Sequence, residues 1–237
     1  MADIKGVLRQ RRTQSQRTAD MRGRICQTTL ETLCEVGFDR LSLAMVATRA
    51  GISKGAITHH YQTKADILVG AFQYMITEWH KGRIAFKASH PRATLEDYLR
   101  FIWQQVFNRP TYIAAIDLML AARADPELQS RLRAVLADWM ILRDLLSEEV
   151  IGADVAGIPR AIYMQLSLSM MRGMAIHESI NVDDQINEVL METWVGITKR
   201  LLAGSQPKDE AVGRIATQGT SLDNKAPLSR RANKRAR

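Results

Sequence analysis

Residues 41–68 read LSLAMVATRAGISKGAITHHYQTKADIL, and this stretch is the most informative part of the chain. Ser42 precedes an apolar-patterned segment, 43–50, and its hydroxyl can accept a hydrogen bond from the free backbone amides of a helix there. Gly51 suits the sharp reversal that follows, because no Cβ opposes a positive φ. Ser53 caps a second short helix in the same way. Two helices joined by a three-residue turn have the spacing of a helix-turn-helix.

The second of these helices, 54–60, is predicted to turn Ile57 inward and to expose small and polar side chains. Small residues allow a helix to sit deep in the major groove of DNA, and Thr and His can reach base edges or phosphates. Two alternatives stay open: an ordinary helical subdomain, and a His60 that packs beside Tyr61. The candidate DNA-binding residues are Arg17, Ser42, Ser53, Lys54, Gly55, Ala56, Thr58, His59, His60 and Lys64.

Outward from this stretch the apolar residues recur at three- and four-residue intervals, which is typical of helices. We expect an all-α fold of nine helices, without a strand, in which 151–157 form a loop. Helices are predicted over 18–36 (capped by Thr18 and ended by Gly37), 43–50, 54–60, 64–86, from Thr94, 110–123, 126–150, 159–179, and from Asp183 to about Leu202. The predicted units are a flexible basic arm (1–17), the helix-turn-helix domain (18–63), a larger helical domain (64–204) and a disordered basic tail (205–237).

Charge is distributed unevenly along the 237 residues. The chain carries 33 basic and 25 acidic residues, a net charge of +8, and it is 46% apolar, which excludes disorder of the whole chain. Residues 1–24 have a net charge of +5, residues 199–237 have +7, and the span between them has −4. A mildly acidic body with cationic ends indicates that the ends meet a polyanion. The alternative is that the basic ends only keep the chain soluble.

The two cysteines and the hydropathy predict a soluble cytoplasmic protein. Cys26 and Cys34 are eight residues apart on one predicted helix, about 12 Å, whereas a disulfide needs Cα atoms within about 7 Å. No apolar run approaches the roughly 18 residues of a membrane span, and we expect no secretory signal.

The sequence lacks the motifs that are typical of a catalytic site. His177-Glu178 begins like a metalloprotease helix, but Asn181 stands where the second histidine belongs. Glycine-rich phosphate loops and zinc-ligand spacings are absent from the sequence. We therefore expect no enzyme activity, no cofactor and no metal.

Residues 18–68 resemble the amino-terminal DNA-binding domain of the TetR family of bacterial transcriptional regulators. The resemblance rests on the GF after the first helix, on VATRAGISKGAI, and on HHYQTKADIL with its Tyr-x-x-Lys exit into the fourth helix. It implies that residues of 54–60 read the major groove, with Arg17, Ser42 and Lys64 as phosphate contacts. Family members often carry a tyrosine where this chain has Thr58, which leaves His59 or His60 to replace that ring.

The resemblance also implies a homodimer whose recognition helices lie one turn of DNA apart, about 34–36 Å. In this family the last two helices pair with their copies. The candidate dimer-interface residues are Leu166, Ser169, Gly173, Ile176, Leu190, Trp194 and Ile197. The alternative is that the apolar faces of these last two helices cover the chain's own core.

Family members bind a small effector in the second domain, and Trp and Met side chains on long helices can form an adaptable apolar cavity. The candidate effector-binding residues are Trp79, Trp103, Asp117, Trp139, Arg143, Met171 and His177. For the apolar residues in this list, the alternative is that they belong to the ordinary helical core. For Asp117, the alternative is a solvated position at the edge of the apolar face of its helix.

Together these observations predict a sequence-specific transcriptional regulator, a repressor that a small molecule releases from double-stranded operator DNA. The alternative function is a helical interaction protein that binds nucleic acid or acidic partners nonspecifically through its basic tails.

Overall fold

The computed structural model describes residues 13–151, 154–155, 157–181 and 184–203, and for 141–151, 184 and 201–203 it describes the backbone alone. The helices are α1 Gln14–Arg40, α2 Leu43–Ala50, α3 Lys54–His60, α4 Lys64–Ser89, α5 Leu95–Ile102, α6 Pro110–Ala121, α7 Pro126–Ile151, α8 Arg160–Glu178 and α9 Asp184–Ala203. A π-helical turn, Trp103–Phe107, continues α5, and a 3₁₀ turn, Ala122–Ala124, continues α6. The all-α fold is confirmed. The predicted basic tail, most of the arm and the cap at Asp183 lie outside the described residues.

The start of α1 differs from the prediction. Thr13, not Thr18, caps the helix: its side chain accepts a hydrogen bond from the Gln16 amide, and its own amide donates to Gln16 Oε1 at 2.8 Å. Thr18 Oγ1 donates instead to the Gln14 carbonyl at 3.1 Å. The prediction at Thr18 was wrong because this reciprocal capping box forms one turn earlier. Gly37 has a φ of 76°, as a break at this glycine requires.

The helix-turn-helix has the predicted bounds. Ser42 accepts a hydrogen bond from the Met45 amide at 3.3 Å, and Ser53 accepts one from the Ala56 amide at 3.1 Å. Gly51 lies in the left-handed region with φ 63°, and its amide donates to the Thr48 carbonyl at 3.1 Å. Local capping therefore sets the bounds of both helices.

A second prediction on secondary structure was also wrong. Residues 154–155, in the expected loop, form an antiparallel strand pair with 158–159, where Pro159 was expected to open the next helix. Gly157, with φ 78°, allows the tight reversal, and Val155 is buried against the helices beside it. The pair brings the chain from α7 into α8.

Two apolar clusters form the core. The first joins α1, α2, α3 and α4 to α6 and α7, and residues such as Ile25, Val46, Ile57, Leu118 and Leu128 belong to it. The predicted division at residue 63 stays a prediction, and this cluster packs across it.

The second cluster lies farther from the helix-turn-helix. It joins α5, the π-helical turn, α6, α8 and α9, with Leu99, Phe107, Tyr163, Met164 and Met191 among its members. Lys199 on α9 contacts Glu96 on α5 at 2.7 Å, and Arg100 contacts Glu188 at 2.6 Å. These ion pairs tie one side of α9 to α5.

Tyr98 in the second cluster is buried, and its hydroxyl has no hydrogen-bond partner among the described residues. A buried polar group left unpaired costs free energy that an apolar replacement does not. We expect Tyr98→Phe to leave the free energy of unfolding unchanged or to raise it by up to about 1 kcal/mol, measured by urea denaturation.

Tyr163→Phe is the matched control for that change. Its ring is equally buried, but its hydroxyl lies 2.9 Å from Thr198 Oγ1. Tyr163→Phe should therefore lower the free energy of unfolding by about 1 kcal/mol. If the two variants lost stability equally, the Tyr98 hydroxyl would have to be satisfied in solution.

Both cysteines lie on α1 as free thiols, Cys26 buried and Cys34 exposed. None of the helices in the described ranges is both long and apolar enough to cross a membrane.

Candidate nucleic-acid interface and apolar cavity

The outer face of α3 is formed by its first turn. Lys54 and Gly55 are exposed, Ala56 is half-buried, and Ile57 is fully buried in the first cluster. Ser53 is exposed while its hydroxyl caps the helix. This turn presents one cation and two small residues, so a flat surface such as a base-pair edge can approach it closely.

The second turn of α3 carries Thr58 and the two histidines. Thr58 Oγ1 donates to the Lys54 and Gly55 carbonyls at 3.0 and 3.1 Å, so its proton stays within the helix. His59 is exposed and His60 is half-buried, with ring centroids 5.2 Å apart. Burial, then His59 and Arg22, lower the pKa of His60, so that its ring is neutral at pH 7. A neutral imidazole offers one donor and one acceptor to a base edge.

Lys64 has contacts within the chain that the sequence did not indicate. Its Nζ donates to the Phe38 carbonyl at 2.5 Å and to the Asp39 carbonyl at 3.2 Å, and it lies 4.4 Å from the Phe38 ring centroid. The ammonium thereby satisfies carbonyls at the end of α1. Its phosphate contact stays a prediction, as do those of Ser42 and Arg17, which are exposed.

Tyr61 anchors the exit of α3, and sequence reasoning missed this role. Its hydroxyl lies 3.0 Å from Cys26 Sγ, and the Arg22 guanidinium carbon lies 5.2 Å from its ring centroid. Burial, followed by the Cys26 hydrogen bond, raises the pKa of Tyr61 to about 12. The ring also packs against the backbone at Gly70 of α4. Tyr61 thus fixes α3 against α1 and α4 together.

A cavity of about 560 Å³ lies between α4, α5 with its π-helical turn, α6, α7 and α8. Two of the candidate effector-binding residues, Trp79 and Trp139, line it, with ring centroids 6.0 Å apart. Most of its wall is apolar. The lining also includes Phe72, Ile76, Ile102, Val106, Phe107, Ala115, Ile116, Met119, Leu120, Leu136, Met140, Met164 and Leu168.

The other predicted effector residues do not line this cavity. Trp103 and Met171 are buried inside the second cluster, and His177 is exposed near the end of α8. Asp117 lines a separate pocket of about 320 Å³ beside Cys34. The Arg143 side chain lies outside what the structure describes.

The polar members of the lining, Arg83, Tyr112, Gln165 and Arg172, were missed. Arg83 is 5% exposed, and its guanidinium carbon lies 4.2 Å from the Trp139 ring centroid. A signal for it existed, because Phe72, Ile76, Trp79 and Arg83 are spaced four, three and four residues apart on one helical face. Arg172 Nε donates to the Tyr112 hydroxyl at 3.0 Å.

An apolar stripe stays exposed on α8, on α9 and in the turn between them. Of the ten large apolar side chains that are exposed in the described residues, seven lie between 166 and 197. They are Leu166, Ile176, Ile180, Ile186, Val189, Leu190 and Ile197, and we call them the α8–α9 stripe.

Three further predicted interface residues have different surroundings. Ser169 and Gly173 are exposed beside the stripe, and a Cβ at Gly173 would meet no atom within 4 Å. Trp194 instead packs within the chain: Nε1 donates to Ser167 Oγ at 3.0 Å, and its ring stacks on Tyr163.

The part of the chain that the structure describes holds no group of three or more His, Cys, Asp or Glu side chains placed to bind a metal ion.

Comparison with known proteins finds similarity to bacterial regulatory proteins. The model of the bacterial regulatory proteins of the tetR family matches residues 25–71. The chain is 25% identical over 200 residues to the HTH-type transcriptional regulator CymR of Pseudomonas putida, across 81% of this chain and 96% of that protein. Both the family model and this relative are described as regulators.

Solved structures share the fold. One is a TetR transcription regulator from Haloarcula marismortui, with a TM-score of 0.59 and 18% identity over 79% of this chain and 98% of the other. Another is FadR from Bacillus subtilis in complex with stearoyl-CoA, with a TM-score of 0.52 and 17% identity over 77% and 98% of the two chains. Residues 25–71 therefore match the DNA-binding domain of the tetR family, and the similarity to regulators of transcription supports DNA-binding transcription regulation as the function of this chain.

Proposed function

We propose that the protein is a repressor that binds a palindromic operator as a homodimer and leaves it when a small molecule fills the apolar cavity. The observation that carries this proposal is the course of α4. Near its start, Gly70 packs against the Tyr61 anchor of α3, and farther along Ile76, Trp79 and Arg83 line the cavity. A ligand that displaces the cavity end of α4 also displaces the anchor of α3.

A second helix supports the same coupling. Ile116 and Met119 of α6 line the cavity, while Ala114 and Leu118 of the same helix pack into the first cluster with α1. A ligand lowers DNA affinity only if it binds better to the conformation in which the two recognition helices are wrongly spaced.

In this proposal α3 enters the major groove. Lys54, Gly55, Ala56, Thr58, His59 and His60 face base edges and nearby phosphates, Ser53 caps the helix, and Arg17, Ser42 and Lys64 hold the flanking phosphates. We place the protein in the cytoplasm, with the DNA it binds, and propose no catalytic role.

The α8–α9 stripe supports dimerisation. Single exposed apolar residues scattered over a surface are ordinary, but seven of them on two consecutive helices and the turn between them favour an interaction site. The opposite side of α9 is occupied by ion pairs to α5, so the stripe faces away from the chain's own core. A second copy would place the same two helices against it, as a two-fold interface requires.

Selection of bound duplexes from random DNA tests the proposal. We expect the full chain to recover a motif of two inverted half-sites about one helical turn apart. A chain truncated after residue 204 should recover the same motif. If only the full chain bound, and bound every duplex equally, the nonspecific function of the basic tail would replace this one.

Lys54→Ala tests the placement of α3. If Lys54 meets a phosphate in each subunit, the variant loses two ion contacts per dimer. The slope of log affinity against log salt concentration should then decrease by about 2. Fluorescence anisotropy with the selected duplex measures it, and Lys81→Ala, an exposed cation on α4, is the control.

Lys64→Ala distinguishes a contact of Lys64 with a DNA phosphate from its contacts with the Phe38 and Asp39 carbonyls. Loss of the carbonyl contacts at the end of α1 lowers the melting temperature, whereas loss of a phosphate contact lowers the salt slope. An unchanged slope for both Lys54→Ala and Lys64→Ala would contradict the placement of α3.

A further inference from the structure

The charge in the cavity wall is one-sided. Among the described residues that line it, Arg83 and Arg172 carry positive charge and none carries a carboxylate. Arg83 is buried, and its guanidinium carbon lies 4.2 Å from the Trp139 ring centroid. The positive charge of Arg172 favours an anionic ligand.

Arg172 and Tyr112 form the polar end of the cavity. Within the described part of the chain Arg172 has one hydrogen bond, from Nε to the Tyr112 hydroxyl at 3.0 Å, and the terminal nitrogens of its fork have no acceptor there. Burial raises the pKa of Tyr112, so the phenol stays protonated. Since its oxygen accepts from Arg172, its own proton is available to a ligand atom.

The remainder of the wall requires an apolar body. Trp79 lies 6.0 Å from both Tyr112 and Trp139, ring centroid to centroid, and the other walls are aliphatic or aromatic. A volume of about 560 Å³ holds a drug-sized molecule. Arg172 is an exposed member of the lining, so a ligand head group can reach its guanidinium while an apolar body lies among the other walls. A cationic head group would be repelled there.

We infer that the effector is an apolar monocarboxylic acid whose carboxylate binds the guanidinium fork of Arg172 and the Tyr112 hydroxyl. Its hydrocarbon or aromatic body lies between Trp79 and Trp139. A planar fork donates two parallel hydrogen bonds to a carboxylate, and hydrogen bonds between ions are stronger than neutral ones. This inference rests on the proposed function, because it names the chemistry of the ligand that releases the operator.

Matched acids and amides test the inference on the full chain. Benzoate, 2-naphthoate, octanoate and decanoate are each compared with their primary amides by calorimetry and by release of the selected duplex. We expect at least one acid to bind and to release DNA, with its amide weaker by about tenfold or more. Dodecyl phosphate is a further arm. If it bound more tightly than every carboxylate, the site would belong to a phosphate ester and the inference would fail.

Variants of Arg172 and Tyr112 test where the carboxylate of the ligand binds. Arg172→Gln should bring acid and amide affinities within about twofold of each other, while amide binding is retained. Arg172→Lys keeps the charge without the fork and should retain part of the preference for the acid. Tyr112→Phe should weaken acid binding several-fold. Lys81→Gln, which alters an exposed cation on α4, should leave the preference intact.

The outcomes separate the two claims. If the chain has no duplex preference, the proposed function fails whatever the acids do. If DNA binding is intact but acids bind no better than amides, no acid binds, or the preference survives in both Arg172 variants, the inference alone fails. Circular dichroism of each variant confirms that it is folded.

Discussion

Leu190→Glu is expected to convert the protein to a monomer and to weaken operator binding about a hundredfold or more, because two linked half-site contacts become one. Leu190 is 40% exposed at the centre of the α9 part of the stripe. In a two-fold interface its copy would lie against the same stripe, so the variant would bury two uncompensated carboxylates. Sedimentation velocity gives the mass, and fluorescence anisotropy gives the affinity.

Ile84→Glu is the control for that prediction. Ile84 is 49% exposed on α4, outside the α8–α9 stripe, so a charge there should change neither mass nor affinity. A Leu190→Glu protein that remained dimeric and bound its operator normally would show that the stripe covers something other than a second copy.

Gly70→Ala is expected to destabilise the protein by about 1–3 kcal/mol, the usual cost of overpacking a core. A Cβ at this position would lie 2.6 Å from Tyr61 Cε1 and 3.0 Å from its hydroxyl oxygen. Tyr61 is 4% exposed and is fixed by Cys26 and Arg22, so its ring has no room to move away. Thermal and urea unfolding measure the loss, and because Tyr61 ends α3, DNA affinity should fall too.

Gly82→Ala, on the same helix, is expected to change the free energy of unfolding in the opposite direction. A Cβ there would lie 3.9 Å from Phe101 Cζ, an ordinary contact. The variant should be about 0.5–1 kcal/mol more stable, as alanine is in a helix interior. Equal behaviour of the two alanine variants would mean that Tyr61 does not pack against Gly70 in solution.

The helix-turn-helix was predictable because its signals are local. Ser42, Gly51 and Ser53 each act on backbone groups within four residues, and the capping boxes at Thr63 and Thr94 do the same. Such contacts depend on the order of residues alone, so their bounds followed from the sequence.

The parts that sequence reasoning missed depend on residues far apart in the chain. Arg172 meets Tyr112 across 60 positions, and Lys64 meets Phe38 across 26. Nothing in their local patterns marks these partners. The π-helical turn at Trp103–Phe107, which has three buried side chains, was not predicted either. The predicted site residues on α3 and in the cavity remain predictions that the experiments above test.

The first apolar cluster also bears on the proposed release from DNA. Ile25, Val46 and Ile57 share it with Leu118 and Leu128, which lie on two of the helices that also line the cavity. A molecule that binds only the native state stabilises that state by mass action. In the proposed release, the ligand would therefore displace folded helices without unfolding the helix-turn-helix.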